Sequence, residues 1–185
     1  MDVGVFLPIS GRAAGPEVLT EAALAAERLG YAAVWSADRV VTPWRIETPY
    51  PYAEDGVFIV PPDRPFLDSM ACLAFLAGRT ERIRLGISVL VLPYRHPLAW
   101  ARLATTVDHL SRGRLIMGVG AGWMREEFEA LGVAYGERGR MTDESLEAVR
   151  LLLSEERCTY EGRHYRFRDV SFQPKAHQEH LPVWV

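Results

Sequence analysis

Short apolar runs alternate along this chain with segments in which apolar residues recur every three or four positions. The runs are typical of buried parallel strands, and they occupy residues 3–7, 32–36, 83–92 and 115–119, with a fifth beginning at 182–185. Helical spacing in the segments between them predicts helices over 16–29, 66–77 and 97–112. Strand–helix alternation of this kind predicts an α/β fold with a parallel sheet.

The C-terminal third of the chain carries weaker patterns. They predict a short helix over 124–131, a longer helix over 142–153 with Thr142 and Asp143 as caps, and a small hairpin over 159–165. Two architectures fit the whole pattern, an open doubly wound sheet and a (β/α)₈ barrel. Periodicity does not separate them, and a complete barrel takes about 250 residues.

Residues 39–65 form a long connection without a helix or strand pattern. The connection contains six of the twelve prolines of the chain, together with Trp44, Tyr50, Tyr52 and Phe58. Long irregular connections in compact domains are usually functional, as lids or binding walls. A disordered insert is the alternative, but the aromatic content argues against it. We therefore predict that this connection forms part of a binding site.

The fourth apolar run ends in three glycines, Gly118, Gly120 and Gly122. Trp123 follows them, and a helix rich in acidic residues begins directly afterwards. Glycines at a strand end let a ligand approach the backbone closely, and free N–H groups at a helix start favour an anion. The segment is therefore predicted to be one rim of a cofactor pocket. A tight strand-to-helix turn without a ligand would give the same pattern.

The composition favours a single soluble globular domain. Of the 185 residues, 49% are hydrophobic and 24% charged, and the net charge of −3 lacks the basic excess expected of nucleic-acid or membrane-surface partners. No apolar stretch approaches the ~20 residues of a membrane helix, and no export signal precedes the first strand. Cys72 and Cys158 are far apart and outside any metal-binding motif. A cytoplasmic protein without a disulfide or a metal site is expected.

Five stretches in the same order resemble the luciferase-like monooxygenase family. These stretches are residues 86–101, 105–133, 137–153, 160–167 and 182–185. The family consists of flavin- or deazaflavin-dependent oxidoreductases built on a TIM barrel. The resemblance therefore implies a (β/α)₈ TIM-barrel type of fold, of which this chain holds about the first four βα units and the start of strand five. It also implies FMN or coenzyme F420 as cofactor and a small organic molecule as substrate.

In a TIM barrel the site lies at the C-terminal ends of the strands. The resemblance places Asp38 there as a polar contact to the cofactor, although pairing with Arg39 would also explain this acid. It places Ser88 and Val89 at a non-prolyl cis peptide that backs the cofactor ring, where an ordinary strand is the alternative.

Gly120 and Gly122 would allow close approach of the ring, and Trp123 would supply apolar wall or simply core packing. Arg140 would reach a phosphate of the cofactor, or pair with Glu144 one helical turn away. No residue is assigned a catalytic role.

Two departures from the family pattern bear on function. Family members often carry a histidine directly after the acid at strand two, where this chain has Arg39. This difference argues against a histidine-assisted mechanism and favours F420 over FMN. Because the chain stops at strand five, a truncated, non-catalytic half-barrel is the alternative function. Such a half would expose sheet edges and an inner face, so a homodimer or higher oligomer is expected.

Overall fold

A computed structural model describes all 185 residues, and its elements follow the predicted alternation of strands and helices. The strands are β1 (Gly4–Phe6), β2 (Ala33–Ser36), β3 (Arg84–Val91), β4 (Leu115–Gly120), β5 (Cys158–Glu161), β6 (Arg166–Val170) and β7 (Val183–Trp184). The helices are α1 (Pro16–Arg28), α2 (Ser69–Ala77), α3 (Pro97–Leu110), α4 (Arg125–Ala130) and α5 (Arg138–Ser154). None of these helices combines the length and the apolar content needed to cross a bilayer.

The main sheet has five parallel strands in the order β1-β2-β3-β4-β7, and β5 and β6 form a separate antiparallel hairpin. Each strand of the main sheet pairs with the strand that precedes it in this order, so the path never reverses. A doubly wound sheet requires such a reversal, whereas a barrel proceeds strand by strand in one direction. The topology therefore follows the barrel alternative.

The core lies between one face of this sheet and the helices. Alternate strand residues such as Leu85, Ile87 and Met117 are fully buried in one apolar cluster with residues of α1, α2, α3 and α5. Inside this core the indole N–H of Trp100 donates a hydrogen bond of 2.8 Å to the Ser145 hydroxyl. A fully buried polar pair of this kind is satisfied and fixes the position of α5 against α3.

The opposite face of the sheet carries glycines and large aromatic residues. Trp35 lies across Gly4 and Gly86, where a Cβ would come within 2.3 Å of the indole ring. The Trp35 and Trp184 ring centroids are 5.6 Å apart. Phe6 and Trp184 on this face are 62% and 53% exposed, respectively.

Three local predictions differ from the structure. Helix α5 begins at Arg138 rather than Thr142. Thr142 therefore lies inside the helix, where its hydroxyl donates to the Arg138 carbonyl at 2.8 Å and does not act as a cap. Helix α2 begins at Ser69, where the Asp68 carboxylate accepts from the N–H of Ala71. The hairpin is longer than the predicted 159–165, because its strands β5 and β6 span Cys158–Glu161 and Arg166–Val170.

Candidate functional site

A cavity of about 560 Å³ lies at the C-terminal ends of β1 to β4. Its wall is mostly apolar, and two of its sides come from the connection 39–65 and the segment after β4. Its lining residues are Phe6, Leu7, Ile9, Ser10, Ala37, Asp38, Arg39, Tyr50, Tyr52, Phe58, Val60, Phe66, Ser88, Val89, Val91, Tyr94, Gly120, Ala121, Gly122, Trp123 and Glu127. The volume lies within the ~300–1,000 Å³ that is usual for small-molecule sites.

Six of the seven residues predicted for cofactor binding line this one cavity. They are Asp38, Ser88, Val89, Gly120, Gly122 and Trp123. They come from three different strands, which converge because parallel strands end at the same edge of a sheet. The structure thus brings Asp38 and Trp123, which lie 85 residues apart in the sequence, into the wall of one cavity.

Arg140 is the exception and does not line the cavity. It lies exposed on α5, where its guanidinium is 3.3 Å from Glu137. The alternative pairing of Arg140 with Glu144 is wrong, because the Glu144 carboxylate accepts hydrogen bonds from the backbone N–H groups of residues 163–165. Contact between Arg140 and a phosphate stays a prediction.

The peptide bond between Ser88 and Val89 is cis. It lies where β3 shifts register against β4, between Ile87 and Leu90. Both Ser88 and Val89 line the cavity. The cis peptide bond that the resemblance implies is therefore present, at the wall of the cavity.

Asp38 is fully enclosed at the cavity wall, and its partner is Arg95 rather than Arg39. The Arg95 guanidinium donates to both carboxylate oxygens at 2.6 and 2.8 Å, and the N–H of Val91 adds a third bond at 3.0 Å. Burial lowers the pKa of Arg95, but the hydrogen bond and charge of Asp38 more than reverse this and raise it. The acid therefore joins the tip of β2 to the segment that follows β3.

A second buried ion pair joins Arg39 to Glu127 across the cavity wall. Glu127 also accepts from the N–H groups of Val40 and Val41 at 2.7 and 3.2 Å, and from the Tyr94 hydroxyl at 2.9 Å. Burial, and then the charge of Glu127, raise the pKa of Tyr94, so this phenol stays a neutral donor. The sequence interpretation missed this pair, since 88 residues separate its members and no motif links them.

Aromatic side chains close one side of the cavity. Trp123 lies with its ring centroid 5.1 Å from Tyr50 and 5.6 Å from Phe58, and the latter two rings are 5.4 Å apart. Tyr50 and Phe58 belong to the connection 39–65, which is thus a wall of the cavity, as predicted. Aromatic clusters of this kind exclude water and offer flat surfaces for a flat ligand.

The two predicted glycines owe their identity to neighbouring side chains. Gly122 has a φ of +81°, and a Cβ there would lie 2.7 Å from Val91 and 2.9 Å from Phe128. At Gly120 a Cβ would lie 2.9 Å from a methyl group of Val89. Packing within the protein therefore already requires Gly122, as a tight turn does, and a Cβ at Gly120 would have to displace the Val89 side chain.

Comparison with known proteins gives matches over the whole chain. The profile of the family "Luciferase-like monooxygenase" matches residues 1–185. An uncharacterized protein of Mycobacterium tuberculosis is 35% identical over 188 residues, which cover 100% of this chain and 64% of the relative. The F420-dependent glucose-6-phosphate dehydrogenase of Intrasporangium calvum is 33% identical, with 92% of this chain and 48% of the enzyme covered. The chain thus spans about half to two thirds of these relatives.

Solved structures show the same fold. The monooxygenase RslO1 from Streptomyces bottropensis superposes with a TM-score of 0.76 at 29% identity, over 99% of this chain and 52% of that chain. The oxygenating constituent of 3,6-diketocamphane monooxygenase from Pseudomonas putida, in complex with FMN, superposes with a TM-score of 0.71 at 17% identity, over 97% and 46%. These neighbours are TIM barrels, which confirms the predicted barrel type of fold. The chain belongs to the luciferase-like monooxygenase family.

Proposed function

We propose that this chain is the N-terminal part of an F420- or FMN-dependent oxidoreductase or monooxygenase acting on a small organic molecule. The observation that carries the proposal is the convergence of six residues from three strand tips on one cavity. A relative named as F420-dependent and a neighbour solved with FMN support the two cofactors. A cavity of about 560 Å³ has room for part of such a cofactor.

The cavity fits a flat, largely apolar ring. Gly120 bears no side chain where a Cβ would crowd Val89, and the rings of Tyr50 and Trp123 stand beside it. The carboxylates that line the cavity, Asp38 and Glu127, are both paired with guanidinium groups. A wall whose charges are paired in this way suits a largely apolar ring.

When bound, such a cofactor supplies the hydride or oxygen chemistry itself. The residues of this chain then have supporting roles. The Ser88–Val89 segment and Gly120 would lie against the ring, and Tyr50 and Trp123 would exclude water. Asp38 would act through Arg95, holding the tips of β2 and β3 together beneath the ring.

A titration with each cofactor tests this proposal. We expect the 185-residue chain to bind F420 or FMN, seen as a shift of the cofactor's visible absorption and quenching of its fluorescence. Gly120→Leu adds a side chain at the cavity wall that crowds Val89 and should weaken binding at least about tenfold. Gly139→Leu is the matched control, since nothing lies within 4 Å of its Cβ position, and should bind normally. No binding of either cofactor, or equal binding by both variants, would contradict the proposal.

A non-catalytic half-barrel is the second candidate. The exposed aromatic residues Phe6 and Trp184 on the inner sheet face favour it, because exposed apolar surface of this kind is typical of sites where another polypeptide binds. In this case the chain would function only with a second copy or a partner chain that covers this face. Binding of neither cofactor, together with self-association, would favour this candidate.

A further inference from the structure

A second groove lies behind one wall of the cavity. This outer groove has a volume of about 510 Å³ and is formed entirely by two stretches of the connection 39–65, namely residues 43–48 and 56–62. Its lining consists of aromatic, aliphatic and proline residues with one glycine, and its only polar side chains are those of Glu47 and Thr48. The carboxylate of Glu47 is paired with Arg45 at 2.9 Å. The outer groove thus suits the same kind of apolar group as the cavity.

Two side chains separate the cavity from the outer groove. Phe58 and Val60 line both spaces, and no other residue does. Neither packs against the hydrophobic core, whereas Phe66, which also lines the cavity, does. The wall is therefore one residue thick at Phe58 and Val60, with open space on both sides. A smaller side chain at this point would join the two spaces.

The ring of Phe58 is fixed by contacts on the cavity side. Its centroid is 5.4 Å from that of Tyr50 and 5.6 Å from that of Trp123. The guanidinium carbon of Arg39 lies 4.8 Å from the same centroid, and Arg39 is itself held by Glu127. Aromatic and cation–π contacts of this kind stabilise one ring position. Phe58 is therefore a fixed end of the cavity.

We propose that Phe58 sets the largest ligand that the cavity admits, because its ring closes the cavity against the outer groove. An apolar ligand tail that points toward this wall stops at Phe58. This inference deepens the proposed function and rests on it for the identity of the cavity as a substrate site. Phe58 is then a specificity-determining residue, which selects ligands by size.

A series of para-alkylphenols, from ethyl to decyl, tests the inference by ligand-detected NMR on the 185-residue chain. The flat head group suits the aromatic wall, and each further methylene group that becomes buried raises the affinity about fourfold. In the wild type we expect the affinity to rise in this way for the short members and to stop rising once the tail reaches Phe58. A rise that continues to the longest member, or binding of no member, would overturn the inference.

Phe58→Ala should move this limit to longer tails. At least two further methylene groups should then be buried, so that the longest member binds at least about tenfold more tightly than to the wild type. Phe66→Ala is the matched control, because it removes the same ring from a residue that lines the cavity but not the outer groove. This variant should keep the wild-type limit. An unchanged limit in folded Phe58→Ala, or an equal shift in both variants, refutes the role of Phe58. If Phe58→Ala fails to fold, Phe58→Val decides by the same comparison.

The cofactor titration, repeated on Phe58→Ala, separates this inference from the proposed function. A limit that depends on Phe58, without binding of F420 or FMN, would leave the inference standing and refute the proposed function. Cofactor binding together with a limit that Phe58→Ala does not move would do the reverse.

Discussion

Replacing Asp38 with alanine should be among the most destabilising single changes at the cavity. The Asp38 side chain is 0% exposed and accepts three hydrogen bonds, two from Arg95 and one from the N–H of Val91. Its removal leaves the guanidinium of Arg95, only 14% exposed, without its main partner. Removal of one member of a buried ion pair typically costs about 3–5 kcal/mol.

The lower end of that range applies here, because Asp68 remains 3.6 Å from Arg95 and partly replaces the lost carboxylate. We therefore expect a loss of about 3 kcal/mol in the free energy of unfolding for Asp38→Ala. For a chain of this length, that loss corresponds to a fall in Tm of about 6–12 °C. Asp38→Asn can still accept from Val91 and should lose less.

Urea denaturation followed by circular dichroism measures these losses, and a double-mutant cycle with Arg95→Met isolates the pair. The coupling between the two positions should be about 2 kcal/mol. Asp63→Asn, which alters an exposed acid near Arg64, is the control and should leave the urea midpoint unchanged. A loss below about 1 kcal/mol for Asp38→Ala, or additive effects of the two substitutions, would refute the reasoning.

Three further predictions concern a turn, a pH effect and assembly. Gly122→Ala places a Cβ at a φ of +81° and 2.7 Å from Val91, and should lower the free energy of unfolding, measured in urea, by about 1–3 kcal/mol. Gly132→Ala is the control: its φ is +68°, but nothing lies near its Cβ position, so it should lower this free energy less. Burial raises the pKa of Glu144, but hydrogen bonds from three backbone N–H groups lower it by a larger amount. The pKa of Glu144 in the folded chain therefore lies below its unfolded value of about 4.5. The contribution of Glu144 to stability is complete above pH 4.5 and is lost as the pH falls below that value. The urea midpoint of Glu144→Gln should therefore fall less than that of the wild type between pH 6 and pH 3. The 185-residue chain should sediment as a dimer or larger species, and Phe6→Ser should shift it toward monomer; a wild-type monomer at high concentration would contradict this.

The sequence predicts the position of the site better than its internal contacts. The ends of parallel strands must meet at one edge of the sheet, so Asp38, Ser88 and Gly120 could be placed together without knowing any contact. The partners could not be predicted, because pairing depends on where side chains point after folding. Asp38 has an arginine beside it in the sequence, yet its partner lies 57 residues away at Arg95.

Two other positions show why a residue type alone is ambiguous. Thr142 resembles a helix cap because threonine hydroxyls bond nearby backbone groups, and here the hydroxyl bonds the carbonyl of Arg138 inside the helix instead. Gly122 suggests ligand contact because it has no side chain; it lines the cavity, but Val91 and Phe128 also lie where its Cβ would be. In both cases one residue type serves two purposes, and only the packing distinguishes them.

The two adjacent acids at the start of α4 have a mechanical consequence. Glu127 holds the backbone at Val40 and Val41, and Glu126 holds it at Glu47 and Thr48 with bonds of 2.8 and 2.9 Å. A single short helix thus clamps two points of the connection over the cavity. Swinging that connection away from α4 would break these four hydrogen bonds and the Arg39–Glu127 ion pair together, so we expect the helix and the connection to move as one unit.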